Sequence, residues 1–194
     1  MFIRRLSLIA LALVAGCQGK SAAGSAVPEA SPAIELHDAK GQVIARVVPG
    51  HPCRATVDDV ELLVGTQPLV AQIGEVRWSG EEAANGTTIK RNDDIVARIY
   101  PTDLQSETGL YMPSGVAMFR ATIVGESVNV VSGAGAVVAT VKRLPKNAGL
   151  SIGDRTVTGT DDLLLAALLA APEAGPEVRG LAACHRLFPP SKAL

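Results

Sequence analysis

Ile34-Glu-Leu-His-Asp-Ala-Lys-Gly-Gln-Val-Ile-Ala-Arg-Val47 aligns without a gap to Val128-Asn-Val-Val-Ser-Gly-Ala-Gly-Ala-Val-Val-Ala-Thr-Val141. Gly41 meets Gly135, and Val43, Ala45 and Val47 meet Val137, Ala139 and Val141. A third copy, Ile89-Lys-Arg-Asn-Asp-Asp-Ile-Val-Ala-Arg-Ile99, is shorter at its turn. Each copy reads strand, Gly/Asn/Asp turn, strand. The turn residues accept backbone angles that other residues avoid, and the β-branched run after them suits a pleated, half-buried surface. Period-two alternation predicts Val43, Ala45 and Val47 on one face, with Ile44 and Arg46 on the other. Two or three such units fit either repeat ancestry or the chance likeness of strands rich in Val, Ala and Gly.

Working outward, Tyr111-Met-Pro-Ser-Gly-Val116 leads into Val116–Ile123, Leu150–Val157 turns at Gly153-Asp154, and Asn85-Gly86 is a hairpin dipeptide. The reading is an antiparallel β meander or barrel. The pattern then changes. Thr160-Asp161-Asp162 precedes Leu163-Leu-Leu-Ala-Ala-Leu-Leu-Ala-Ala171, and Pro172 ends the run. An Asp or Thr cap before strong helix formers predicts a helix, with the acids at its positive end. The segment is apolar on all sides, so it needs protein all round it. At about 1.5 Å per residue it is too short to cross a bilayer. A second, more polar short helix is expected over Glu177–Leu187, weakened by Gly180. The predicted class is therefore mainly β, α+β in content: a meander or barrel packed around one apolar C-terminal helix.

Repeated strand-turn-strand units over Asp38–Val47, Asn92–Ile99 and Gly133–Val141, closed by the apolar helix Asp161–Ala171, resemble the tubby-like barrel superfamily. That group includes plant LURP-one-related proteins and phospholipid scramblases. The resemblance implies a closed antiparallel barrel threaded by a hydrophobic helix. This chain runs past the helix to Leu194, unlike members that end at it. No phosphoinositide-binding residue of the family can be placed here, so only the fold is carried over.

The chain has 194 residues, with 18 Lys+Arg against 19 Asp+Glu for a net charge of -1. With no basic excess, a nucleic-acid partner is not expected. The length suits one domain with a substantial core.

The N-terminus reads as an address. Met1-Phe2-Ile3-Arg4-Arg5 is followed by an apolar run from Leu6 to Ala15. This is a charged region and an apolar region of signal-peptide length. Val14-Ala15-Gly16-Cys17 then resembles the bacterial lipoprotein box. The resemblance implies removal of residues 1–16 and lipidation of the Cys17 thiol, with acyl chains as the membrane partner. Gln18, in place of the Asp that retains family members in the inner membrane, implies the outer membrane. Residues 17–33 are small, polar and Pro-containing, and read as a flexible tether. The domain is expected over 34–188, with 189–194 as a tail.

Cys53 and Cys184 remain, an even pair in an oxidising compartment. The expectation is a disulfide between Cys53 and Cys184, with two unpaired thiols as the alternative. His51-Pro-Cys53 and Cys184-His185 are also an acceptable zinc set by type, but neighbours on a helix diverge by about 100°, which argues against convergence. No metal or cofactor is therefore assigned. The acid pairs Asp58-Asp59, Asp93-Asp94 and Asp161-Asp162 suit turns and a cap better than paired acid/base work. His37 reads as a turn residue. Trp78, Tyr100, Tyr111 and Phe119 read as core anchors. Ser132-Gly-Ala-Gly135 is a hairpin turn, not a phosphate loop, because strands flank it. Arg46 and Arg98 are candidates for a cationic ligand face, or simply outward strand positions in water. No catalytic residue is assigned. The expectation is a non-catalytic, lipid-anchored envelope protein with a binding or structural role, facing the periplasm, its protein or lipid partner open. The alternatives are a carrier of lipid or small apolar ligands, and a metal- or thiol-dependent enzyme using His51, Cys53 and Cys184.

Overall fold

A computed structural model describes residues 32–83, 85–100, 106–171 and 173–189. The expected signal segment, Cys17, most of the tether and residues 190–194 lie outside the described residues. The strands are β1 (Ile34–His37), β2 (Val43–Val48), β3 (Cys53–Val57), β4 (Val60–Thr66), β5 (Leu69–Ile73), β6 (Val76–Ala83) and β7 (Gly86–Arg91). They continue with β8 (Asp94–Tyr100), β9 (Glu107–Tyr111), β10 (Ala117–Val124), β11 (Ser127–Ser132), β12 (Val137–Arg143), β13 (Leu150–Ile152) and β14 (Arg155–Thr158). Each pairs antiparallel with its neighbours in sequence, and β14 pairs with β1, so the meander closes into a 14-strand barrel. Closure leaves none of these described strands with an unpaired edge. We call the end where β1 begins proximal and the other end distal.

The copies seen in sequence share one hairpin geometry. In the β1–β2 turn the Asp38 amide donates to the Gln42 carbonyl at 2.9 Å, and the Gly41 amide to the Asp38 carbonyl at 3.0 Å. Met112–Val116 and Ser132–Ala136 repeat both bonds at 2.8–2.9 Å. Gly41, Gly115 and Gly135 stand at φ +78°, +86° and +85°, a region that glycine enters without steric cost. The Tyr111–Ile123 hairpin is thus closer to the two long copies than the Ile89–Ile99 hairpin is.

A bulge follows each turn, and it corrects the predicted facing of Val43. Leu36 pairs with Ala45 but His37 with Val43, so Ile44 is an extra residue. Register also shifts past Val96, Met118 and Val138. One added residue reverses the alternation. Ala45 and Val47 therefore face inward as expected, whereas Val43 is 49% exposed. Val137 is turned outward in the same way, at 59%.

The inward faces carry Leu36, Val47, Val57, Val64, Ile89, Ile99, Phe119 and Val141, all fully buried. Fourteen strands at about 4.8 Å spacing and 40° tilt make a ring about 28 Å across, too wide for wall side chains alone to fill. Two helices occupy the space. Helix α1 (Leu163–Leu169) is buried at every position and packs on β9–β13. Helix α2 (Pro176–Leu187) packs on β2–β5 and on α1. The second helix expected over Glu177–Leu187 is present, runs 12 residues and is more buried than its polar sequence suggests, with Val178–His185 all buried. Gly180 is a contact point rather than a weakness. A Cβ there would lie 3.0 Å from Leu62 Cδ1 and 3.4 Å from Ala55 Cβ.

Polar side chains tie this helical pair at both ends. Asp162 caps α1, its Oδ1 accepting from the Leu164 and Leu165 amides at 3.0 and 3.1 Å. Its other oxygen accepts from Arg186 Nε of α2 at 2.6 Å. At the distal end Arg179, 5% exposed, donates to the Leu169 carbonyl at 3.1 Å and to the Asp58 carboxylate in the β3–β4 turn. A buried guanidinium needs such partners, because its desolvation would otherwise be uncompensated.

Trp78 and Phe119 are core residues as expected, at 7% and 0% exposure. Tyr100 and Tyr111 are only half-buried and meet edge to face with ring centroids 5.3 Å apart.

Candidate functional site

The chemistry-bearing residues gather at the proximal end, where α2 finishes against the starts of β3, β5 and β7. Cys53 and Cys184 form a disulfide with Cα atoms 6.0 Å apart, joining the barrel wall to the internal helix. Both cysteines are fully buried. His51 Nδ1 lies 2.9 Å from Thr66 Oγ1, and its ring sits 4.5 Å from that of Phe188. His185 Nε2 lies 2.8 Å from Thr87 Oγ1.

The structure thus brings His51, Cys53, Cys184 and His185 to one end, but not as a ligand set. The sulfurs are bonded to each other, and each histidine is held by its own threonine. Among the described residues no group of three or more His, Cys, Asp or Glu side chains is placed to hold a metal.

His185 is 3% exposed, and burial pushes its pKa down to about 4, so the ring is neutral near pH 7. Its Nδ1 is buried and has no hydrogen-bond partner among the described residues. His185 and Thr87 line a cleft of about 460 Å³ with Thr66, Gln67, Pro68, Leu69, Gly80 and Glu82. That volume is in the usual range of small-ligand sites. Gly80 leaves room for Leu69: a Cβ there would fall 2.4 Å from Leu69 Cδ2, and the leucine side chain would have to turn aside. Sequence reasoning weighed His185 only as a zinc ligand and missed Thr66, Gln67, Glu82 and Thr87. Thr87 and His185 are 98 positions apart, and nothing local in either segment signals the pairing.

Arg46 and Arg98 are not brought together. They lie on β2 and β8, six strands apart around the ring, and Arg46 Nε is 3.4 Å from Glu35 Oε1. His37 closes β1, with Nδ1 3.3 Å from the Gly41 carbonyl and Nε2 3.4 Å from Glu35 Oε2. The acid pairs occupy turns and the cap as expected. Asp58 and Asp59 take left-handed φ of 46° and 66° in a two-residue hairpin. Ser132–Gly135 is a hairpin turn between β11 and β12.

No family model matches the chain, and neither a curated protein nor a solved structure matches it.

Proposed function

We propose that this chain is a lipid-anchored bacterial envelope protein, acylated at Cys17 after removal of residues 1–16, whose barrel is a non-catalytic binding or structural module. Residues 18–33 tether it at the periplasmic face of the outer membrane. The observation that carries the reading is the buried Cys53–Cys184 bond, since disulfides persist in exported proteins and are rare in a reducing cytosol.

The outer wall supports an anchor outside the barrel. Arg54, Glu61, Arg77, Glu81, Arg120 and Lys142 stand exposed on strands β3, β4, β6, β10 and β12. Charges on a lipid-facing wall cost about 2–4 kcal/mol each near the bilayer midplane, so such a wall belongs in water. The closed, helix-filled barrel is also the outline that the tubby-like resemblance implies. Filling by Leu164, Leu165, Leu168, Leu169 and Leu181 counts against a carrier with its ligand in the barrel interior. A thiol-dependent enzyme is disfavoured because both sulfurs are bonded and buried.

The test is fractionation of cells expressing the natural chain and its Cys17→Ser variant. The natural chain is expected in the outer membrane, and the variant, which lacks the acylated thiol, is expected to be missing from it. A variant that still reaches the outer membrane would contradict the anchor.

A further inference from the structure

The sequence holds three cysteines, and two of them, Cys53 and Cys184, are bonded. Cys53 opens β3 and Cys184 lies on α2 inside the ring, and both are fully buried. Disulfide exchange needs a thiolate to reach the sulfur it attacks. Neither sulfur can be reached once α2 is seated, so the bond forms before that helix fills the barrel. At that stage the Cys17 thiol is a competitor, and chain length favours it. Cys17 and Cys53 are 36 positions apart, against 131 for Cys53 and Cys184. Loop-closure entropy grows with the logarithm of loop length, so the shorter loop closes about sevenfold more readily in an unfolded chain. The assembled wall keeps the rivals close. β1 and β3 both begin at the proximal end with β2 between them, so the chain leading from Cys17 joins the wall about 10 Å from the strand of Cys53. A Cys53 bonded to Cys17 cannot also bond Cys184, and its sulfur carries a second chain into the space that α2 fills.

We propose that diacylglyceryl transfer to Cys17 precedes oxidation of Cys53, so that the lipid guards the barrel's disulfide as well as anchoring the chain. A phospholipid donor gives its diacylglyceryl carbon to Cys17 Sγ; the C–O bond to its phosphate headgroup breaks, the headgroup keeps the electron pair, and the thiol proton leaves. The resulting thioether has no S–H to ionise, so it neither attacks a disulfide nor enters one. The later step uses a small disulfide as oxidant. The Cys53 thiolate attacks it and expels one thiolate, and the Cys184 thiolate then attacks Cys53 Sγ and expels the other. Two protein thiols lose two electrons and two protons, and the oxidant becomes two thiols. The proposal rests on the acylation of Cys17 proposed above, and the two fail separately: intact mass alone decides the acylation, whereas pairing in the unmodified chain alone decides the competition.

The test uses the full chain made by cell-free synthesis without lipid, so that Cys17 keeps its thiol, beside its Cys17→Ser variant. Both are reduced in urea and then oxidised with glutathione disulfide, in one series in urea and in another during dilution out of it. Peptide mass spectrometry reads which cysteines are joined, whether or not either chain folds to completion. In urea the natural sequence is expected to give Cys17–Cys53 over Cys53–Cys184 by about seven to one, with the native bond in about one singly bonded chain in nine. On dilution, where native contacts narrow the bias, it should reach the native pair about threefold less often than Cys17→Ser, which has only one bond to make. Either of two results overturns the proposal: a ratio in urea at or below one, or a natural sequence that forms Cys53–Cys184 on dilution as fast and as fully as Cys17→Ser.

Discussion

Removing the Cys53–Cys184 bond should destabilise the domain mainly by freeing its unfolded chain. The two residues are 131 positions apart. Opening a loop of that length restores about 17 cal/mol/K of chain entropy, or about 5 kcal/mol at 25 °C. Residual contacts in the unfolded ensemble lower this figure, so a loss of about 3–5 kcal/mol is expected. The double variant Cys53→Ala/Cys184→Ala is the suitable perturbation, because alanine adds no buried hydroxyl in need of a partner. Urea unfolding is the assay. With a slope of about 2 kcal/mol/M, the midpoint should fall by about 1.5–2.5 M. The slope should also rise, since the uncrosslinked chain exposes more surface when it unfolds. A midpoint shift below about 0.5 M at unchanged slope would refute the reasoning, because it would mean that the crosslink barely restricts the unfolded state.

Leu165 is fully buried inside the barrel; Leu165→Ala should lose about 3–5 kcal/mol, and Leu165→Asp should abolish the cooperative thermal melt seen by circular dichroism. Asp162→Ala removes both the α1 cap and the partner of Arg186, for a loss of about 2–4 kcal/mol, whereas Asp162→Asn, which keeps a capping oxygen, should lose about half as much in the same melts. His185 sets a pH dependence: its pKa is lowered from 6.5 to about 4, so the unfolded chain takes up a proton that the folded one refuses. That stability is complete above about pH 6.5 and falls by about 3 kcal/mol as pH drops toward 4. Urea midpoints between pH 7 and 4 should show this slope, and His185→Gln should lack it. Gly180→Ala should destabilise by about 1–3 kcal/mol through overpacking on Leu62 and Ala55, a loss that trimming Leu62 to Val should partly recover.

The hairpins were legible because their determinants are local. A glycine at 41 or 135 and the β-branched run after it specify a turn and a return strand within a dozen residues. Helix α1 was legible because Leu163–Leu169 has no polar face to present to water. The bulges were not legible: Val43-Ile-Ala45 reads as plain alternation, and only pairing with β1 shows that Ile44 is extra. The burial of α2 was hidden for a related reason. Arg179 and His185 look like surface residues until Asp58 and Thr87, 121 and 98 positions away, are seen to receive them. Cysteine parity suggested the disulfide, but the cleft beside it depends on contacts between distant strands.

Intact-mass analysis of the protein extracted from membranes tests the central claim most directly. The account predicts loss of residues 1–16, an added mass of acyl chains localised to Cys17, and alkylation of Cys53 and Cys184 only after reduction. A chain that keeps its first 16 residues, or carries an unmodified Cys17 thiol, would contradict the lipid-anchored reading.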